Sequence, residues 1–168
     1  MSTVFMICGN TAAGKSTYSM ALSKQENAIC FSIDPWMMTL YGEDYNPEEN
    51  DFSWLLERLT RCQTQIRQVA ELLIQKKVNV ILDFGFGDIE TRRMHKEWAE
   101  KLGAEVSLHF LDVPVEERRR RVQHRNQEQG ETFAFEVTDE MFDYVNPLFS
   151  PPSEDELKNG LFINGILS

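Results

Sequence analysis

Residues 4–22 read VFMICGNTAAGKSTYSMAL, and the reading of this stretch decides the fold. Val4 to Cys8 is a short, uninterrupted apolar run, the form of a strand buried on both faces. Gly9 ends it, and KSTYSMALSK continues as a helix. Between the two, Gly9-Asn10-Thr11-Ala12-Ala13-Gly14-Lys15-Ser16 fits the pattern G-x-x-x-x-G-K-[ST] in the strand-to-helix setting that gives the pattern its meaning. Such a loop turns backbone N–H groups inward onto a phosphate, through conformations that side chains obstruct, hence glycine at both ends. The following helix adds the positive end of its dipole. Lys15 is placed to reach β- and γ-phosphates, and Ser16 to offer its hydroxyl to Mg²⁺. The expected nucleotide-binding residues are Gly9, Asn10, Thr11, Ala12, Ala13, Gly14, Lys15 and Ser16. Thr17 adjoins them, although packing or capping competes there.

Outward from this loop, apolar runs alternate with helical patterns. AICFSI (28–33) reads as a second strand ended by Asp34-Pro35, because proline cannot continue the ladder. From Ser53 to Lys76, Leu55, Leu59, Cys62, Ile66, Val69 and Leu73 recur at helical spacing, with Ser53 the expected N-cap. VNVILDF (78–84) is a third strand, DIETRRMHKEWAEKLG a helix stopped at Gly103, and EVSLHFLDV a fourth strand. A basic helix, VEERRRRVQHRN, follows Pro114. Beyond it come a short helix capped by Thr138, a turn-rich SPPSEDELKN and a final run, LFINGIL, expected as an edge strand. The order βαβαβαβ predicts an α/β fold with a parallel sheet sandwiched by helices, with ligands beyond the C-terminal strand ends. Residues 1–168 are expected to form a single domain.

The length of 168 residues suits one domain, and no segment approaches the apolar length of a membrane span. Without the basic start and cleavage site of a secretory signal, a cytoplasmic location is expected. Cys8, Cys30 and Cys62 stand too far apart for a CxxC zinc site or a disulfide framework. The formal net charge of −10 argues against a broad surface for long nucleic acid.

The fate of a γ-phosphate depends on the remaining residues. No N-K-x-D segment reads guanine, and Phe84 rather than a glutamate follows Asp83, so GTPase and motor-ATPase readings are disfavoured. A kinase instead places an acceptor hydroxyl in line with the γ-phosphate and excludes water. Asp34 stands where an acid near the acceptor belongs, with turn capping as its competitor. Trp36, Met37, Met38 and Tyr41 either line an acceptor pocket or pack on the core, and Phe84 to Phe86 lie in a glycine-rich turn beside the site. Asp83 has the strand-end position of a carboxylate that holds Mg²⁺. In the basic helix Arg118 with Arg121, and Arg121 with Arg125, share faces, so guanidinium groups can converge on one triphosphate unless Glu116 or Glu117 claims them.

With these residues in place the chain resembles the AAA_33-type bacterial P-loop kinases, relatives of chloramphenicol phosphotransferase and zeta toxins. The likeness runs from CGNTAAGKST through FSIDPWM, ILDFGF and LDVPVEERRRRVQHRN to LFSPPSEDE. It implies ATP and Mg²⁺ as cofactors and a small-molecule hydroxyl as acceptor. It also implies a small arginine-rich helical lid at about 115–135, Asp34 as the base, Arg121 and Arg125 as lid ligands of phosphate, and Pro151, Pro152 and Glu154 near the adenine. It does not name the acceptor, and it fits a monomer or a dimer. Two rivals stay open: a kinase of nucleotides or nucleic-acid ends, and a nucleotide-dependent protein-binding switch or slow ATPase using the 36–54 region as an interface.

Overall fold

The computed structural model describes residues 1–46, 51–130 and 136–165. Its elements in chain order are β1 (Thr3–Cys8), α1 (Lys15–Gln25), β2 (Ala28–Ser32), α2 (Ile33–Tyr41), α3 (Phe52–Gln75), β3 (Asn79–Gly85), α4 (Ile89–Lys101), β4 (Glu105–Asp112), α5 (Val115–Glu128), α6 (Asp139–Val145) with a 3-10 turn (Asn146–Leu148), and β5 (Leu161–Asn164). The five strands form one parallel sheet in the order β2-β3-β1-β4-β5. β1 is central, which explains its apolar character on both faces. Val4, Met6 and Cys8 face the cluster built with α3 and α4, while Phe5 and Ile7 face the cluster built with α1. Residues alternate between faces along a strand, so an all-apolar run is required only where both faces are covered.

Several boundaries differ from the sequence expectation. β2 stops at Ser32, one residue early, because Asp34-Pro35 begins a helix rather than merely ending a strand. Proline is tolerated there since N–H groups of a helix's first turn lack intrahelical partners. The N-cap of α3 is Asp51, whose carboxylate accepts from the Trp54 N–H at 3.0 Å, and not Ser53, whose hydroxyl instead donates to Asp51 at 2.6 Å. Thr138 does cap α6, accepting from the Met141 N–H. β5 is confined to Leu161–Asn164, so the C-terminal part of LFINGIL lies partly outside the described residues, as do 131–135 of the expected lid. Among the described residues no helix is long and apolar enough to cross a membrane.

Candidate active site

The loop after β1 stands at the centre of the sheet's C-terminal edge. Gly14 precedes α1 with φ +90°, a left-handed conformation natural to glycine, and Ala12 adopts φ +60° without that help. Gly9 is required for a different reason than backbone angle. A Cβ there would lie 3.0 Å from the Leu111 carbonyl oxygen and 3.1 Å from the Ala13 Cβ, so β4 crowds the loop's entry. Asn10 Oδ1 accepts from the Thr11 N–H at 2.7 Å, and its Nδ2 donates to the carbonyl and side-chain oxygens of Asn146. Lys15 Nζ donates to the Asn10 carbonyl at 3.1 Å, which folds the lysine over the loop.

Beside the loop, Ser16 Oγ donates to Asp83 Oδ2 at 2.9 Å, and Ser32 Oγ donates to the same oxygen at 3.1 Å. Register places Asp83 opposite Ser32 on β2, and both stand next to the loop because β3 lies between β2 and β1. A hydroxyl and a carboxylate are hard oxygen donors that suit Mg²⁺, which keeps few protein ligands and completes its shell with water and phosphate. Accordingly, no group of three His, Cys, Asp or Glu stands ready for a metal among the described residues.

Asp34 projects from the first turn of α2 and is exposed to solvent. Burial pushes its carboxyl up; Lys15 draws it down, Asp83 raises it and Arg125 draws it down again. Asp34, Lys15, Asp83 and Arg125, from four elements, are therefore electrostatic neighbours. Arg125 is half-buried, and its Nε and Nη2 are buried without a hydrogen-bond partner among the described residues. Burial pushes its guanidinium down and Asp34 opposes that shift. Unpartnered buried donors are costly, and a phosphate arriving there would satisfy them.

The other arginines of α5 part company with Arg125. Arg118, 6% exposed, spends its guanidinium on Val113 O, Thr11 O and Asn146 Oδ1, so it is a strut between α5 and the loop and not one of a converging pair. Arg121 donates to Glu117, to Ala13 O at 3.4 Å and to Gly165 O at 2.8 Å, covering the back of the loop near Gly14. Glu117 thus does claim Arg121 and Arg120, as the competing reading held, and those two hold its carboxyl down to about 2. Arg119 pairs with Asp139 and Asp143 on α6.

Phe86 is fully buried against His95 and Phe84 and cannot line an acceptor pocket, while Phe84 stays half-buried. Trp36, Met37 and Tyr41 pack partly on the main core, and Met38 is exposed. On the opposite side of the loop, a cavity of about 250 Å³ opens at the end of β4, lined among others by Asn10, Phe110, Asp112, Arg118 and Pro151. Pro152 and Glu154 do not line it. Sequence reading overlooked Asn146, which ties the loop to Arg118, and Arg92, buried in α4. Arg92 bonds Glu156, Phe86 O and Ser150 O, and so anchors the segment that carries Pro151. An arginine inside an otherwise amphipathic helix was its one available signal.

A parallel β2-β3-β1-β4-β5 sheet with this loop leading from its central strand defines a P-loop protein of the kinase-like fold. The chain belongs to the AAA_33 family, described as an AAA domain, whose model matches residues 4–152. No curated protein matches the sequence significantly. Among solved structures it is similar to a protein from Chloroflexus aurantiacus J-10-fl, at 15% identity over 99% of this chain and 89% of that one, with TM-score 0.74. It is also similar to a gluconokinase from Sinorhizobium meliloti 1021, at 12% identity over 99% and 84%, TM-score 0.64. The Mycobacterium tuberculosis APS kinase CysC, solved with AMPPNP and APS, is 18% identical over 99% and 90%, TM-score 0.65.

Proposed function

We propose that this protein is an ATP-dependent phosphotransferase that moves the γ-phosphoryl group onto a hydroxyl of a small molecule. The observation that carries the reading is Arg125, whose buried Nε and Nη2 have no hydrogen-bond partner among the described residues and whose charge acts on Asp34, as the charges of Lys15 and Asp83 also do. The loop N–H groups and Lys15 hold the β- and γ-phosphates, and the cavity at Arg118 and Pro151 lies on the side of the loop assigned to the adenine. Ser16 and Asp83 would hold Mg²⁺, which when bound neutralises charge on the phosphate oxygens.

Asp34 then accepts the proton of the acceptor hydroxyl as its oxygen bonds to the γ-phosphorus. The bond from that phosphorus to the bridging β-oxygen breaks, and ADP departs with the electron pair. Arg125 donates to the oxygens of the phosphoryl group in flight, where charge spreads most. Asp34's raised pKa suits this role, because a base is most effective when its pKa approaches the working pH. A gluconokinase and an APS kinase share the fold, which supports the reaction class and leaves the acceptor open.

The test is incubation of the purified protein with Mg-ATP and a library of hydroxyl metabolites, read by mass spectrometry. Gain of one phosphoryl group by a small molecule, with stoichiometric ADP, is the expected result. ATP turnover that no hydroxyl compound stimulates, but a protein partner does, overturns it in favour of a switch.

A further inference from the structure

α3 carries a cation, Arg58, that the phosphate loop does not use. All 17 lysines and arginines lie within the described residues, so each can be placed. α2 and α6 contain none, and α3 contains Arg58, Arg61 and Arg67.

Their heights follow from element geometry. α3 returns into β3 through a three-residue turn, so it runs antiparallel along that strand, with Ile74 near the strand's start. From Asn79 to Asp83–Gly85 the strand rises roughly 13–20 Å, which a helix covers in roughly 9–13 residues. Counting back from Ile74, the helix is level with the strand's end near Cys62. Arg67 lies below that level. Arg58 and Trp54 lie one and two turns above it, over the acceptor side. Both are half-buried, on the face of α3 that continues upward from buried Cys62.

On α2, Asp34, Met38 and Tyr41 share a face. The Tyr41 ring meets Trp54 edge-on at 6.4 Å, and the Arg58 guanidinium lies 4.0 Å over the Trp54 indole. A wall thus runs from Asp34 through Met38, Tyr41 and Trp54 to Arg58, on the order of 10 Å along the α2 axis from Asp34 to Tyr41. The Arg58 side chain is 21% exposed, and its guanidinium packs over the indole. Its Nη1 donates to Glu57 and to Trp54 O, while Nε and Nη2 make no hydrogen bond among the described residues. Glu57 is shared with Arg61, so Arg61 can keep it if Arg58 turns to a ligand. The trio of Glu57, Arg58 and Arg61 carries one net positive charge in a chain of net charge −10.

We infer that Arg58, held over Trp54, is the docking point for an anionic group, carboxylate or phosphate, of the acceptor. A planar fork offering two parallel N–H bonds matches either oxyanion, and the apolar wall between leaves the hydroxyl at the far end of the acceptor to meet Asp34. The inference rests on the kinase reading and adds that the acceptor is a hydroxyl-bearing anion of modest length.

The experiment offers the full chain and Mg-ATP matched pairs of hydroxyl compounds within a wider library. Gluconate is set beside glucitol and glycerate beside glycerol as the carboxylate arm, with 5′-AMP beside adenosine and glycerol 3-phosphate beside glycerol as the phosphate arm. Phosphorylation of the anionic member in preference to its neutral counterpart is expected, and the arm that responds identifies the oxyanion. For that acceptor, Arg58→Ala raises KM roughly 10- to 100-fold, the worth of a charged hydrogen bond, with kcat and ATP affinity changed far less. Arg58→Lys, which keeps the charge and loses the fork, falls between. Preference for neutral members, or an unchanged KM in both variants, overturns the assignment and leaves the kinase standing. Transfer to no compound in the library, with ATP bound normally, removes the kinase reading itself.

Discussion

Arg92→Met removes the most heavily bonded buried cation of the fold. The side chain is 2% exposed and makes four hydrogen bonds: two to Glu156, at 2.6 and 3.3 Å, one to Phe86 O at 3.0 Å and one to Ser150 O at 2.8 Å. Methionine fills most of the aliphatic volume, so little of the effect comes from a cavity. Breaking a buried ion pair by deleting one partner costs about 3–5 kcal/mol. Glu156 is 21% exposed and regains some water, which places the cost near the lower end, at about 3 kcal/mol. In a chain of this length each kcal/mol lowers Tm by about 2–4 °C, giving a drop of about 6–12 °C. Differential scanning calorimetry measures it. The double variant Arg92→Met/Glu156→Leu should recover part of the loss, since it no longer leaves a carboxylate stranded. A fall of under 2 °C, or a double variant no better than the sum of its singles, would refute the strut assigned to Arg92.

Lys15→Met should abolish both turnover and tight ATP binding, because it removes the charge at the β- and γ-phosphates; isothermal titration checks the binding, and near-normal affinity would remove Lys15 from the site. Arg125→Ala should lower kcat more than it weakens ATP binding, since its donors act on the transferring group; equal losses in kinetics and titration would make it a ground-state ligand. Asp34→Asn should stabilise the nucleotide-free protein at pH 7. Burial raises the folded-state pKa, so the unfolded chain ionises first and stability falls as pH climbs from the ordinary aspartate range through the raised value. The variant lacks that loss, so its advantage in urea titrations should persist above this window and vanish below it, whereas an advantage that grows on acidification would reverse the assigned shift.

The phosphate loop was legible because its signal is local: two glycines, Lys15 and Ser16 between a strand and a helix. The parallel sheet was legible because β1 and β3 are apolar on both faces. The division of labour among the arginines was not. Helical spacing puts Arg118, Arg121 and Arg125 on related faces, but whether each meets a carbonyl, a carboxylate or nothing depends on Thr11, Asn146, Gly165 and Glu117, which lie up to 107 residues away. The burial of Phe86 was equally hidden, because its neighbour His95 comes from the next helix. Gly9 was read as an angular requirement when the cause is the approach of Leu111 from β4, a contact across the sheet that no local pattern encodes.

The central claim is that Asp34 accepts a proton from an acceptor hydroxyl while the loop and Asp83 hold the nucleotide. It is tested by single-turnover phosphoryl transfer to one identified acceptor, measured side by side for the wild type, Asp34→Asn and Asp83→Asn, with ATP affinity determined on the same preparations. A fall of roughly 10²–10⁴ in the transfer rate is expected for Asp34→Asn, with ATP affinity nearly unchanged. Transfer near the wild-type rate in Asp34→Asn, alongside its abolition in Asp83→Asn, would contradict it and reduce Asp34 to a residue of the first turn of α2.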